Sequence, residues 1–349
     1  MRVVVTGATG NVGTSPLESL ETDDRVSSVV GIARRRPVPS PSLSKVEWVA
    51  ADVATDDLRP VVDGAQVLVH LAWLFQPTHR PTVTWRANAI GSARVFEAGA
   101  EAGVGAVVCA SSLAAYSPAP GQAVAESWPT HSLPTAAYGR EKAYVERVLD
   151  AFEARHEHMR IVRMRPSFVF QRRSATEQRR IFAGPLLPKA LVAPGRLPLM
   201  PVPPGLRFQA VHADDLAEAY RLAIVNEVAG AFNIAAEPTI DARVLAEILG
   251  TRAVEIPRPV VRAALALAWR AHVVPVEPAL LDLVLELPLL DTSRARDVLG
   301  WAPRRSATDA LREVIEGMAG GAGGETAPLA PDTPGRRLGE IASGVGERP

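Results

Sequence analysis

Apolar residues gather in short β-branched runs at 3–5, 29–32, 46–50, 67–71 and 107–110, separated by longer stretches of helical periodicity. Apart from Glu47 and His70, these runs are apolar or glycine rather than alternating, the pattern of strands covered by helices on both faces. The rhythm predicts βαβ units and an α/β fold built on a doubly wound parallel sheet. Ala, Val and Phe recur at helical spacing from about 81 to 103, and a second helix is expected from 136 to about 155. Beyond Phe170 the texture turns irregular, with prolines at 185, 188, 194, 198, 201, 203 and 204, which suits a smaller, discontinuous lobe covering the substrate. The βα rhythm returns at 208–224 and 231–235. The expected division is therefore a dinucleotide-binding Rossmann domain of residues 1–168 plus 208–236 and a substrate lobe of 169–207 plus 237–318. A flexible tail, rich in Gly, Pro, Ala and charge, is expected at 319–349.

At 349 residues and 47% hydrophobic content, the chain can bury a sizeable core. Lys plus Arg and Asp plus Glu both total 38, so no global field draws nucleic acid. The single cysteine, Cys109, excludes an intramolecular disulfide framework and a cysteine-based zinc motif, and the cytoplasm is the expected compartment. A glycine loop stands where a signal peptide would need an apolar core, so no export is expected. The apolar stretch 260–274 is broken by Arg262 and Arg270 and is too short to span a bilayer; it reads as a buried or interface helix.

Gly7, Gly10 and Gly13 follow the first strand in TGATGNVG. Glycines there permit a tight turn and let the backbone approach a pyrophosphate at a helix N-terminus, where free N–H groups and the helix dipole favour an anion. Thr9, Asn11 and Val12 belong to the same loop and are expected at the cofactor. A carboxylate at the end of the second strand would mark NAD, but Ala33 stands there, followed by Arg34, Arg35 and Arg36. Arg34 and Arg35 can clamp a 2′-phosphate instead, so NADP is favoured and NAD is the alternative. Asp52, followed by Val53, lies just past the third strand, in reach of the adenine.

Tyr138 and Lys142 stand four apart in Tyr-Gly-Arg-Glu-Lys and share one face of a helix. A lysine ammonium beside a phenol favours the phenolate, as proton transfer near neutral pH requires. Ser111 and Ser112 follow the strand at 106–110, at the carboxyl end where open α/β sheets bind ligands, and Ser112 can hold a substrate carbonyl there. His212, Asp214 and Asp215 superficially suggest part of a hydrolase triad, but no G-x-S-x-G elbow exists, and they read as a helix cap with Asp214 or Asp215 as acceptor. His156 and His158 lack partners at metal spacing, and no metal is expected.

The ordered motifs TGATGNVG, VHLAW, RANAIGSARVFEA, ASSLAAYS, Glu126 before Pro134, YGREK, MRP, RFQAVHADDLAEAY, GAFNIAAE and DTSRARDVLGWAP resemble the NAD-dependent epimerase/dehydratase family of extended short-chain dehydrogenases over residues 2 to 318. The resemblance implies Tyr138 as the proton-transfer residue, Lys142 as ligand of the nicotinamide ribose and Ser112 as the substrate-polarising hydroxyl. It also implies a cofactor neighbourhood containing His70, Ala72, Asn88, Ser111 and Pro166, and a homodimer through the helices starting at Pro81 and Ala136. The chain departs from sugar-nucleotide members at Phe170-Gln171, where they carry Tyr-Gly-Pro, although Arg207 matches a phosphate-contacting position. Trp73, Leu74, Phe75, Trp85, Trp128 and Phe168 can build an apolar pocket for a less polar substrate. The expectation is an NAD(P)-dependent oxidoreductase acting on a small organic carbonyl or alcohol, with no nucleic-acid or membrane partner. A sugar-nucleotide epimerase or dehydratase is the alternative, and a non-catalytic dinucleotide sensor ranks third.

Overall fold

The computed structural model describes residues 1–187, 192–331 and 345. Seven strands form one parallel sheet: β1 (Arg2–Thr6), β2 (Ser28–Ala33), β3 (Val46–Ala50), β4 (Val67–His70), β5 (Ala106–Ala110), β6 (Arg160–Pro166) and β7 (Gly230–Ile234). Their spatial order, β7-β6-β5-β4-β1-β2-β3, reverses direction between β1 and β4. An open α/β sheet binds its ligand at such a switch point, beyond the carboxyl ends of the strands.

The continuous apolar runs are explained by burial on both faces. On one side, Val3, Val5, Val67, Val69 and Val108 pack with Leu17, Leu20, Leu216 and Tyr220 from helices Asn11–Glu21 and Ala213–Val225. On the other, Val4, Leu68 and Val107 meet Val95, Phe96, Leu149 and Phe152 from helices Gly91–Glu101 and Ala137–Arg155. The expected 81–103 helix is interrupted: Pro81–Trp85 and Gly91–Glu101 are joined by a π turn at Arg86–Ile90. A π turn inserts one extra residue per hydrogen-bonded loop and is frequently used to aim a side chain at a site; here it carries Asn88.

The second lobe is discontinuous. Strand Arg207–His212 pairs in parallel with Phe168–Phe170 and antiparallel with Ala236–Asp241, forming a separate three-stranded sheet rather than joining the large one. Only the following helix and β7 return to the large sheet, so the strand at the start of the 208–236 segment lies outside that sheet. Helix Ala213–Val225 is capped by the His212 ring, which accepts from Asp214 N–H at 3.1 Å, rather than by an aspartate of its first turn. Asp215 instead accepts the Arg305 backbone N–H at 3.0 Å.

The 260–274 stretch is not buried, which leaves its reading as an interface helix, and the start of the expected tail is not free. Helix Arg258–Arg270 buries none of its residues, and Val260 and Leu267 are 57% and 67% exposed. It lies on the surface beside helix Pro278–Glu286, tied by Arg258 to Glu286 at 2.6 Å and by Arg262 to Asp282 at 2.7 Å. The chain after helix Ala307–Gly320 is also not free as far as Pro331: Leu329 is fully buried, and Thr326 Oγ1 donates to the Thr9 carbonyl at 2.7 Å. Apart from residue 345, the remainder of the expected tail lies outside the described residues.

Candidate active site

The turn after β1 shows why its glycines are required. Gly7 has φ +70°, and a Cβ on it would lie 2.5 Å from the Ala72 nitrogen. A Cβ on Gly13 would overlap the Gly7 carbonyl oxygen. Gly10 precedes helix Asn11–Glu21 without a side-chain cap, which leaves the first N–H groups of that helix turned to the cleft. The Asn11 side chain is occupied elsewhere, donating to the Val169 carbonyl at 3.1 Å and accepting from Gln171 at 3.0 Å.

From this turn the cleft runs in two directions. One compartment, about 680 Å³, is lined by Gly7, Thr9, Gly10, Ala33, Arg34, Arg35, Asp52, Val53, Ala72 and Asn88 among others. The second, about 270 Å³, is lined by Asn11, Val12, Gly13, Ser111, Ser112, Tyr138, Lys142 and Pro166, with an apolar wall of Phe168, Phe182, Leu280, Leu283 and Leu287. Nearly every expected site residue therefore faces one compartment or the other. His70 lines neither: fully buried, it sits 2.8 Å from Thr6 Oγ1 through Nδ1 and 2.8 Å from Ser92 Oγ through Nε2. Burial, reinforced by the Lys142 charge, lowers its imidazole to about 3, so it is a neutral brace between β1, β4 and the neighbouring helix.

Ser112 and Tyr138 meet at the mouth of the second compartment, where the phenol donates to Ser112 Oγ at 3.3 Å. Burial raises the Tyr138 phenol above its ordinary value, and the Ser112 hydrogen bond only partly opposes this. This differs from the expected lysine-promoted phenolate. Lys142 Nζ donates to the Ala110 carbonyl at 2.7 Å and sits 3.4 Å from the centre of the Trp73 ring. Burial brings the Lys142 ammonium down to about 8.

Ser111 and Ser112, adjacent in sequence, do different things. Ser111 Oγ turns inward to Glu146 Oε1 at 2.5 Å, and Glu146 receives two further hydrogen bonds from Arg165, at 2.8 and 2.9 Å. Arg165 also donates to Tyr116 OH at 2.9 Å, and Tyr116 donates to Asn233 at 2.6 Å. The chain of bonds fixes the ends of β5, β6 and β7 beneath the site. A comparable clamp holds the Trp73–Leu74 segment. Asn88 bonds both Leu74 backbone groups at 2.7 Å and donates to Glu141 at 2.6 Å, while Thr84 donates to the other Glu141 oxygen at 2.6 Å.

Of the aromatic candidates, Trp73, Phe75 and Phe168 line the second compartment and Leu74 faces the first. Trp85 instead packs on Tyr144, and Trp128 donates to the Ser117 carbonyl, away from both. Arg207 is exposed, lies against Gly121 and borders a separate surface groove with Asp241 and Glu255. Sequence reasoning missed Glu177, whose place in a Glu-Gln-Arg-Arg run reads as a solvated helix face, and Ala327 and Pro328, which lay in the expected tail; all three line the cleft.

The residues present fit a bound dinucleotide. The glycine turn leaves no room for side chains, and four buried polar atoms lining the cleft lack a protein partner: Trp73 Nε1, Ser167 Oγ, Glu177 Oε2 and Tyr220 OH. Orphaned groups of this kind call for a ligand or solvent.

Fold and site together define a Rossmann-type protein with a Ser-Tyr-Lys constellation of the extended short-chain dehydrogenase kind. Residues 3–235 match the model of the NAD dependent epimerase/dehydratase family, and the chain belongs to that family. It is 27% identical over 316 residues to an uncharacterized protein of Mycobacterium tuberculosis, covering 90% of this chain and 29% of that protein, so it spans less than a third of that relative's length. Among solved structures, it resembles a UDP-glucose-4-epimerase from Stenotrophomonas maltophila with bound NAD and formylated UDP-arabinopyranose (TM-score 0.68, 21% identity, 92% of this chain and 98% of the other). A dTDP-glucose 4,6-dehydratase from Streptomyces venezuelae with NAD and TYD bound is similar as well (TM-score 0.65, 18% identity, 91% and 96%). At these identities the likeness is one of fold.

Proposed function

We propose that this protein is a nicotinamide-dinucleotide-dependent oxidoreductase acting on an apolar carbonyl or alcohol, with NADP(H) preferred over NAD(H). The observation that carries the reading is the lining of the second compartment: besides Ser112, Tyr138 and Lys142 and the polar Asn11, Ser111, Ser167, Glu177 and Gln178, its wall is aliphatic and aromatic, and among the described residues it holds no arginine. A nucleotide sugar brings a diphosphate that arginine forks bind strongly, whereas Arg207 lies on a separate groove. A substrate with an apolar body and one carbonyl suits this wall.

The bound dinucleotide supplies the hydride acceptor or donor; the protein supplies orientation and a proton. Ser112 Oγ holds the substrate oxygen, and Tyr138, already hydrogen-bonded to Ser112, delivers or removes the proton at that oxygen. Lys142, with burial holding its ammonium near 8, can exchange the Ala110 carbonyl for a ribose hydroxyl. At the other end, Arg34 and Arg35 line the cleft where Ala33 replaces a ribose-binding carboxylate, which supports a 2′-phosphate. The test is dinucleotide consumption with a panel of apolar ketones and aldehydes, set against nucleotide sugars. Stoichiometric NADPH oxidation supports the reading; sugar interconversion without net consumption replaces it with epimerase or dehydratase chemistry.

A cytoplasmic homodimer completes the proposal. Its support is the exposure of Val83 and Tyr144 on the helices starting at Pro81 and Ala137 and of Ile90 on the π turn that follows the first. Light scattering at the mass of two chains is expected, and a monomer would remove it.

A further inference from the structure

Glu177 stands on helix Ala175–Phe182, which closes over the cleft from the second lobe. It shares with Gly7, Gly10, Leu71 and Trp73 the property of lining both compartments, which places it at their junction. A dinucleotide threaded through a Rossmann cleft passes its pyrophosphate across the glycine turn, and that turn forms part of the same junction. Yet the side chain opposite is acidic, and Glu177 Oε2 is a buried oxygen with no hydrogen-bond partner.

Carboxylates are normally excluded from phosphate sites, since two like charges in a low-dielectric cleft repel. A neutral carboxylic acid is different, because it carries an O–H donor. The surroundings favour the neutral form. Burial pushes the Glu177 carboxyl up to about 7, with only the charge of Arg180 opposing it. Arg180 itself donates to the Pro328 carbonyl of the C-terminal segment. Across the cleft, Thr9 and Trp73 bring no charge; Glu325 on the C-terminal segment is exposed. The charged groups sharing the two compartments are Arg34, Arg35, Asp52 and Arg86 on the nucleotide side and Lys142 on the substrate side.

We infer that Glu177 binds the dinucleotide as a neutral acid, donating a hydrogen bond to a pyrophosphate oxygen, so that dinucleotide binding takes up one proton from solvent. No bond other than O–H is made or broken, and the proton comes from buffer. The inference rests on the dinucleotide reading of the cleft and adds to it a positioning role and a pH dependence for this residue.

The experiment is fluorescence titration and calorimetry of the full chain with NADPH and NADH between pH 6 and pH 8.5, for wild type, Glu177→Gln and Glu177→Ala. The wild type is expected to lose about tenfold in affinity from pH 6 to pH 8, the slope of a single linked proton. Buffers of differing ionisation enthalpy should report uptake of close to one proton at the alkaline end. Glu177→Gln, a permanent neutral donor, should bind as tightly as wild type at pH 6 and keep only the pH dependence of the other groups, the NADPH 2′-phosphate and Lys142 among them. Comparing it with wild type removes the titration of the NADPH 2′-phosphate. Glu177→Ala should be weak throughout. A wild-type slope equal to that of Glu177→Gln, or a pH dependence confined to substrate KM, overturns the inference while leaving dinucleotide binding intact. Absence of binding by wild type at every pH overturns the cofactor reading and the inference together.

Discussion

The two compartments of the cleft are built by different logic. The nucleotide side is assembled chiefly from the ends of successive strands, joined by Asn88, Glu177, Ala327 and Pro328 from farther along the chain. Gly7 to Gly13 follow β1, Arg34 and Arg35 follow β2, and Asp52 and Val53 follow β3. Its lining mixes backbone and the charged Arg34, Arg35, Asp52 and Arg86 with apolar side chains such as Ile32, Val53 and Leu71. The substrate side is assembled from distant segments: Ser112 after β5, Tyr138 and Lys142 on a helix, Phe168 from the small sheet, and Leu280, Leu283 and Leu287 from the C-terminal lobe. Its lining is largely apolar, with Ser112, Tyr138 and Lys142 and a few further polar side chains such as Asn11, Ser167 and Gln178. On the proposed function, a shared dinucleotide is read by the first arrangement regardless of substrate, while the second carries the specificity.

The sharpest break in the comparison is Tyr138→Phe. Removing the phenol should lower turnover by about 10²- to 10⁴-fold, the scale of a lost general acid, with dinucleotide affinity unchanged in fluorescence titration. Equal loss of binding would show that the compartments are not separable.

Next in size is the buried support under the substrate side. Glu146→Gln leaves Arg165 without its charge partner and should cost about 3–5 kcal/mol in denaturant unfolding. Burial acts to raise the Glu146 carboxyl, but the hydrogen bonds and charge of Arg165 outweigh it and hold the group below its ordinary value. A carboxyl lowered in the folded state stabilises the fold above its unfolded value and loses that contribution as pH falls. The variant should therefore lose less stability than wild type on acidification.

Arg34→Ala is a smaller and more selective change. Because the arginine is exposed, about tenfold weaker NADPH binding is expected, with NADH unaffected. Equal losses for both dinucleotides would remove the 2′-phosphate contact. Smallest is Phe182→Ala, at a partly exposed edge of the apolar wall. A severalfold rise in KM for a bulky apolar substrate is expected, with NADPH affinity preserved.

What the sequence made legible follows the same division. The glycine turn, the strand runs and the Tyr-Lys pair are local patterns whose geometry is set within a few residues, and they assemble where expected. His70 was misplaced because a polar residue at a strand end looks alike whether it faces the cleft or, as here, bonds back to Thr6. Tyr138 and Lys142 share a helix face, yet where the Lys142 ammonium rests, on the Ala110 carbonyl and the Trp73 ring, depends on tertiary packing. The exposure of helix Arg258–Arg270 and the docking of Thr326 on Thr9 were likewise invisible, since both depend on partners far away in the chain. Glu177 is hidden most completely, because no local signal separates a buried acid from a solvated one in a charged run.

The measurement that tests the central claim most directly is loss of nicotinamide absorbance when wild type and Tyr138→Phe are mixed with NADPH and an apolar carbonyl panel. The account predicts dinucleotide consumption matched by alcohol formation in wild type and near abolition in the variant. Nucleotide-sugar conversion with no net consumption, or turnover undiminished in Tyr138→Phe, would contradict it.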